Sequence, residues 1–291
     1  MTYNELYRHI ISVLKKAGID SPAFDALCIF ESKLGLTRHD LIMTGNKKAE
    51  KDQCDAVEEL ATKRAEGYPL QYLLGMWQFM DSEFFVGEGV LIPREDTSVV
   101  VQLCLDNIKN LYGTDNLSII DLCAGSGAIS ISLAKSLPNS KVTALELSDK
   151  AMYYLQKNIQ HNRCNNVEAV SGNVFTDCNI TDALYDVIIS NPPYIISSEI
   201  RTLQKEVQYE PVMALDGGSD GYDFYRAIIS KWSKKLKSGG LLVFELGENQ
   251  YDTVSDLMCS QGFKDITFAT DLGNVKRGIC GVSLNDKVKL G

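Results

Sequence analysis

The chain has 291 residues, enough for one large domain or a large and a small one, with 45% hydrophobic and 23% charged side chains. Its 29 basic against 38 acidic residues leave a net charge of −9, which argues against a protein that grips a nucleic-acid backbone over a broad surface. Eight scattered cysteines without a Cys-x-x-Cys pair, and only three histidines, give no zinc spacing, so no metal site is expected and reduced thiols point to a cytoplasmic protein.

The start, Met1-Thr2-Tyr3-Asn4-Glu5, carries neither a basic region nor a long apolar run. No stretch approaches the roughly 20 apolar residues of a membrane span, so no leader and no membrane partner are expected. Residues 1–74 read as a small helical domain that positions a partner, with no Gly-rich loops and no clustered titratable groups. Leu6, Ile10, Ile11, Val13 and Leu14 form one helical face. Ser21-Pro22 starts a second helix carrying Phe24, Leu27, Cys28 and Phe30, which ends near Gly35. Thr37 to Leu41 opens a short third helix or turn, and Ala49 to Ala65 is a longer, charge-rich amphipathic helix. Residues 75–93, with Phe79, Phe84, Phe85, Val86, Val90, Leu91 and Ile92 around Gly87 and Gly89, read as a β-hairpin joining this domain to the next. Pro93-Arg94 then leads into a helix from Ser98 to about Leu111, and is equally readable as a plain loop with a salt bridge.

Residues 94–291 form the second domain, in which strand and helix alternate from Leu117 onward. Strands are expected at 118–122, 141–145, 167–170, 184–190, 240–245, 263–268 and 278–282, with helices between most of them. Such alternation predicts an α/β fold, a mostly parallel seven-stranded sheet covered on both faces. Residues 195–221 form a long, helix-poor insertion, the kind that often serves as a functional lid.

Asp121-Leu122-Cys123-Ala124-Gly125-Ser126-Gly127 joins the first strand of this domain to its first helix. Glycines there let a ligand approach the backbone, and the helix start adds N–H donors. A dinucleotide fingerprint wants a third glycine where Ser130 stands, which disfavours a nicotinamide cofactor. Asp121 suits a cationic ligand, such as an ammonium group. Glu146, about 20 residues on, stands where a carboxylate takes both ribose hydroxyls. Asn173, at the end of the next strand, is in reach of an adenine edge. A generic Gly-rich turn is the bland alternative, weakened by the order in which these residues occur.

Ser190-Asn191-Pro192-Pro193-Tyr194 follows the apolar run Asp186 to Ile189. The prolines forbid both strand pairing and helix, so Asn191 stands where a core strand stops, at the sheet rim where ligands bind. Asn191 offers an acceptor, Pro192 a backbone carbonyl and no N–H, and Tyr194 a ring face. Two acceptors and a ring suit a planar NH2 group on a substrate; a proline-capped strand end is the bland alternative.

On these residues the chain resembles the class I S-adenosylmethionine-dependent methyltransferases and, within them, the release factor glutamine methyltransferases. The resemblance runs along nearly the whole chain: Asp25-Ala26, Gly35 to Arg38, Pro69, Tyr72-Leu73, Val90 to Arg94 and Thr97, then Asp121-Leu122, Gly125 to Gly127, Ser190 to Tyr194, Tyr209-Glu210-Pro211, Ala214 to Gly218, Glu245, Gly247 and Gln250. It implies a Rossmann-like methyltransferase domain behind a small helical domain. It also implies S-adenosylmethionine bound by Asp121, Cys123, Ala124, Gly125, Ser126, Gly127, Glu146, Asn173, Val174 and Asn191, and a release factor as protein substrate.

The chain departs from the family with Cys123 and Ala124 for Gly and Thr, Glu146 and Asn173 for Asp, Val174 for an aromatic, and Glu95 and Ser98 for Pro and Glu. These departures bear on cofactor affinity more than on reaction type. The implied reaction methylates the side-chain amide nitrogen of the glutamine in a Gly-Gly-Gln loop. Asn191 and Pro192 accept the two amide hydrogens, Tyr194 packs on the amide plane and Pro193 completes the substrate contact. A monomer that does not bind DNA is expected.

Two rivals stand beside it. An adenine-specific DNA or RNA methyltransferase uses the same Asn-Pro-Pro-Tyr on a flipped base, but wants a basic cleft that the net charge and the acidic stretch Glu50 to Glu66 disfavour. A release-factor or ribosome-binding module that has lost its cofactor would follow if Cys123, Ala124 and Val174 spoiled the loop.

Overall fold

The computed structural model describes residues 1–113, 116–180 and 183–284. The chain divides into two compact units, Met1–Met76 with Gln204–Tyr209, and Trp77–Leu203 with Glu210–Gly291.

The first unit holds α1 (Tyr3–Lys16), α2 (Pro22–Leu34), α3 (Arg38–Thr44), α4 (Lys51–Ala65) and α5 (Leu70–Leu74). Thr2 and Glu5 close a reciprocal capping box at the start of α1, and Thr37 and Asp40 do the same for α3. Leu6, Ile10 and Leu14 form the buried stripe of α1.

In α2 the inward face differs from the expected one. Asp25, Ala26, Ile29 and Phe30 are buried, while Phe24 is 53% exposed. The cause is a buried ion pair: Arg64 of α4 reaches Asp25 Oδ2 at 2.7 Å, and its other nitrogens reach Glu206 Oε1 at 2.6 Å and the Tyr68 carbonyl at 3.3 Å. Three charged side chains thus cluster in a unit expected to have no such cluster. Satisfying a buried guanidinium turns Asp25 inward and carries Phe24 out with the helix rotation.

A short hairpin follows, β1 (Met76–Phe79) and β2 (Ser82–Phe85), and all of it but Met76 belongs to the second unit. The expected strand run to Pro93 stops at Phe85; beyond it Val86, Val90 and Ile92 are buried in irregular chain. α6 (Glu95–Leu111) starts three residues before Ser98.

Then come β3 (Ser118–Leu122), α7 (Ala128–Ser136), β4 (Lys141–Glu146), α8 (Asp149–His161), β5 (Val167–Ser171), β6 (Tyr185–Ser190), α9 (Asp223–Lys231), β7 (Leu236–Glu245), α10 (Tyr251–Ser260), β8 (Phe263–Thr270) and β9 (Lys276–Ser283). The sheet is a seven-stranded α/β sheet in the order β5-β4-β3-β6-β7-β9-β8, parallel from β5 to β7, with β9 antiparallel to both its neighbours.

Val187, Ile188 and Ile189 of β6 are fully buried, as a central parallel strand covered on both faces requires. The strand expected at 240–245 begins four residues earlier, so Gly239 and Gly240 fall inside β7. Its pairing with β6 jumps from Tyr185–Leu236 to Val187–Leu241, so the extra residues are absorbed as an irregularity in the strand. The insertion at 195–221 contains only three 3₁₀ turns, at Ile200–Thr202, Val207–Tyr209 and Val212–Ala214.

Candidate active site

Strand register brings the candidate residues together. Leu122 pairs with Leu145 on one side and with Ser190 on the other. The next residues along, Cys123, Glu146 and Asn191, therefore emerge level with one another at the carboxyl edge of the sheet. This is also where strand order reverses, the position at which open α/β sheets bind ligands. A cavity of about 330 Å³ opens there. Cys123, Ala124, Gly125 and Ser126 line it from the loop after β3, Glu146 from the end of β4, Asn173 and Val174 from beyond β5, and Asn191 and Pro193 from beyond β6. Asp121, Gly127, Pro192 and Tyr194 lie off its wall.

The loop is an open cradle with a carboxylate underneath. Gly125 has φ 55, and no heavy atom lies within 4 Å of where a Cβ would stand. Glu146 holds the loop in place: its Oε2 accepts the Gly125 N–H at 2.8 Å, and its Oε1 accepts those of Leu147 and Ser148 at 2.9 and 2.8 Å. A carboxylate has about four acceptor positions, so this Glu keeps room for one further donor rather than the two hydroxyls expected of it. Cys123 sits at φ 63, a conformation a glycine would adopt without strain. Burial, with Glu146 and Asp121 close by, pushes its thiol far above the ordinary range.

Beyond β5, Asn173 turns its side-chain oxygen onto the Phe175 N–H at 2.8 Å, an Asx-type turn that settles its own backbone. The aromatic wall sought at Val174 is supplied one residue later. Phe175 and Phe224 pack edge to face at 4.7 Å and both line the cavity. A hydroxyl-bearing ligand part at the carboxylate and a planar one at the aromatic pair are what such a lining accepts, and the residues present fit an adenosine-bearing cofactor.

At the tip of β6, Asn191 Nδ2 donates to Thr97 Oγ1 at 3.3 Å, and Thr97 Oγ1 donates to Glu245 Oε2 at 2.6 Å. Tyr194 extends its hydroxyl to Glu245 Oε1 at 3.5 Å. A Cβ on Gly217 would stand 2.6 Å from Tyr194 Cα and 2.9 Å from the Pro193 carbonyl oxygen, so that glycine is needed for the insertion to close on the tip. Arg94 also lines the cavity and pairs with the buried Glu210, whose second oxygen accepts the Ile92 N–H at 3.0 Å. Of the two readings open for Pro93-Arg94, the salt bridge is therefore present, and it ties the insertion to the cavity wall. Thr97, Glu210 and Glu245 enter the sequence reading only as residues of the resemblance, with no role assigned, because the partners that define their roles lie more than 100 residues away.

Asp121, expected to meet a cationic ligand, does not line the cavity. On β3 it alternates with Ile120 and Leu122 and turns toward α7, where its Oδ2 accepts both the N–H and the hydroxyl of Ser130. It is fully buried, and its Oδ1 has no hydrogen-bond partner among the described residues. Burial pushes its carboxyl from 3.8 up to about 7, against the pull of the Ser130 bonds. Glu245 is likewise pushed from 4.5 to about 7, first by burial. Both groups hold protons more tightly folded than unfolded. Their contribution to stability is therefore present below their unfolded values and is lost as pH rises toward 7. We expect the urea midpoint at about pH 5.5 to exceed that at about pH 8, with Asp121→Asn removing its share of the difference. Equal wild-type midpoints would contradict the assignment.

Residues 5–75 match the model of the PrmC N-terminal domain, and residues 99–209 that of the methyltransferase small domain. A release factor glutamine methyltransferase of Geobacter sulfurreducens is 36% identical over 269 residues, 92% of either chain. One from Fusobacterium nucleatum is 35% identical over 94% of this chain and 77% of its own length. Among solved structures, the hMettl16 catalytic domain aligns over 96% of this chain and 93% of that one, with TM-score 0.55 at 14% identity, a likeness of fold alone.

Proposed function

This chain belongs to the release factor glutamine methyltransferase family, and we propose that it carries out that reaction at the tip of β6, with Asn191 and Pro192 holding the glutamine amide. The observation that carries the reading is the level register of Cys123, Glu146 and Asn191, which gives one cavity both a cofactor cradle and an amide acceptor. The substrate is the side-chain amide nitrogen of the glutamine in the Gly-Gly-Gln loop of a peptide chain release factor, and the methyl donor is S-adenosylmethionine. When bound, that donor supplies an electrophilic methyl on a sulfonium sulfur.

The chain's own residues do the rest. Glu146 fixes the loop and offers its remaining acceptor position to a ribose hydroxyl, while Phe175 and Phe224 give the adenine an aromatic edge. An amide nitrogen is a poor nucleophile because its lone pair is delocalised into the carbonyl. Asn191 Oδ1 and the Pro192 carbonyl accept its two hydrogens, orient it, and stabilise the positive charge that develops on it. The methylated amide is acidic enough to release its proton without a strong base. Tyr194, anchored through Glu245, closes the substrate side with Pro193.

No described helix is long and apolar enough to cross a membrane. A release factor as substrate fits a cytoplasmic enzyme working as a single chain. Mass spectrometry of a recombinant release factor incubated with the enzyme and S-adenosylmethionine tests the reading. One added methyl on the loop glutamine is the expected result. Methyl incorporation into DNA or RNA, with none into the release factor, would replace it with the adenine reading.

A further inference from the structure

An amide side chain can present either its oxygen or its NH2 to a substrate, and the two ends have nearly the same shape. For Asn191 the choice decides the chemistry, because a substrate NH2 needs an acceptor. The neighbours of Asn191 settle it. Thr97 has one hydroxyl hydrogen, and Glu245 Oε2, an acceptor when ionised, stands 2.6 Å away. That hydrogen goes to the carboxylate. The Thr97 oxygen is then left with lone pairs only, and the group 3.3 Å from it must be the Asn191 NH2. The Asn191 oxygen is thereby the end left for the substrate.

We propose that Thr97 and Glu245 are positioning residues for methyl transfer: the buried carboxylate commits the Thr97 hydroxyl, and the committed hydroxyl turns the Asn191 carbonyl outward. The inference rests on the reading of Asn191 as an amide acceptor. Neither residue need touch the reacting atoms. Glu245 is 2% exposed and Thr97 4% exposed, so no bulk water competes for the hydrogen that passes between them.

The relay has a second setting. Protonated Glu245 becomes a donor toward Thr97; the Thr97 hydrogen is released toward Asn191, and the amide turns over to present NH2 to a substrate that is itself a donor. The charged and titratable groups around the carboxylate act in both directions. Asp96 on α6 opposes its ionisation, Arg277 on β9 favours it, and the Tyr194 hydroxyl favours it from the tip of β6. Arg277 is itself held by Asp96 at 3.2 Å and Asp271 at 2.9 Å. Activity therefore falls as pH drops through the titration of Glu245, near 7.

The test pairs kinetics with a measurement that needs no turnover. In Thr97→Val, kcat on a release factor is expected to fall about ten- to a hundredfold and to lose the acid limb of its pH profile. Affinity for S-adenosylhomocysteine, measured by calorimetry, stays within about twofold of wild type. Thr97→Ser, which keeps the hydroxyl, recovers most of the lost rate. In wild-type protein labelled with 15N-asparagine, solvent exchange of the Asn191 NH2 is followed from about pH 6 to about pH 8. Exchange of a free amide quickens as pH rises through this range; protection of Asn191 that grows over the same range is the expected signature.

Protection that does not change with pH overturns the relay, as does a Thr97→Val enzyme with wild-type kcat and pH profile alongside an inactive Asn191→Ala. Should Thr97→Val fail to fold, the exchange measurement on wild type decides alone. An active Asn191→Ala would instead overturn the reading on which the relay is built.

Discussion

Asn191→Ala is expected to lower kcat on a release factor by about 10²- to 10³-fold while leaving S-adenosylhomocysteine binding nearly unchanged. The size follows from what the side chain does. On the proposed reading it contributes one of two fixed acceptors aimed at charge that appears only as the nitrogen is methylated, and such preorganised dipoles need no reorganisation at that moment. The separation of kcat from binding follows from geometry. Asn191 lines the cavity from beyond β6, while the carboxylate and the glycine cradle proposed to hold the cofactor belong to β4 and the loop after β3. Initial rates over a range of release factor concentrations, with calorimetry on the same preparation, measure both quantities. A variant with near wild-type rates and intact cofactor binding would remove Asn191 from the mechanism. Asn191→Asp keeps the oxygen but adds a charge beside Thr97, whose oxygen now has no amide hydrogen to accept, so it is expected to fall between wild type and Ala.

The parts of this site that could be read in the sequence are those whose signal is local. β6 is an unbroken apolar run because both its faces are covered, and the two prolines end it within one residue. The glycine loop announces itself by composition, and Glu146 by its spacing from that loop. What the resemblance named without a role depends on partners distant in the chain. Thr97 and Glu245 are separated by 148 positions, and a lone Thr at a helix start or a lone Glu at a strand end carries no periodic mark.

Asp25 misled the reading of α2 for the same reason. Its partner Arg64 lies on another helix, so the apolar spacing along α2 gave no sign that an acidic residue belongs in the interior. Asp121 shows the opposite failure. Its position in the loop motif is legible, but the side to which a central strand turns it depends on α7, and there one of its oxygens is taken by Ser130. Phe175 was overlooked by one place because the chain leaves β5 through a turn, where strand alternation no longer says which residue faces the cavity.

Glu146 carries the second large effect. Its carboxylate accepts three backbone N–H groups, from Gly125, Leu147 and Ser148, and is 9% exposed. Glu146→Gln preserves size but converts one oxygen into NH2. If the NH2 faces Gly125, donor meets donor and the cradle loses its anchor; if it faces Leu147 and Ser148, two N–H groups lose their acceptor at the start of α8. Either way at least one charge-assisted bond is lost and a repulsive contact replaces it. Bonds to charged groups contribute about 1.5–3 kcal/mol each, so the cofactor site is expected to weaken by about ten- to a hundredfold in Kd for S-adenosylhomocysteine.

The acceptor count sharpens the expectation further. With one position left on the carboxylate, only one ribose hydroxyl depends on Glu146, so of the 2′-deoxy and 3′-deoxy forms of S-adenosylhomocysteine, one should lose affinity in parallel with Glu146→Gln and the other should lose little. Calorimetric titration of both analogues against wild type and variant separates the outcomes. Equal losses for the two analogues on the wild type would mean that the carboxylate gives up its hold on Gly125 to take both hydroxyls. The cradle would then be built by the cofactor rather than waiting for it.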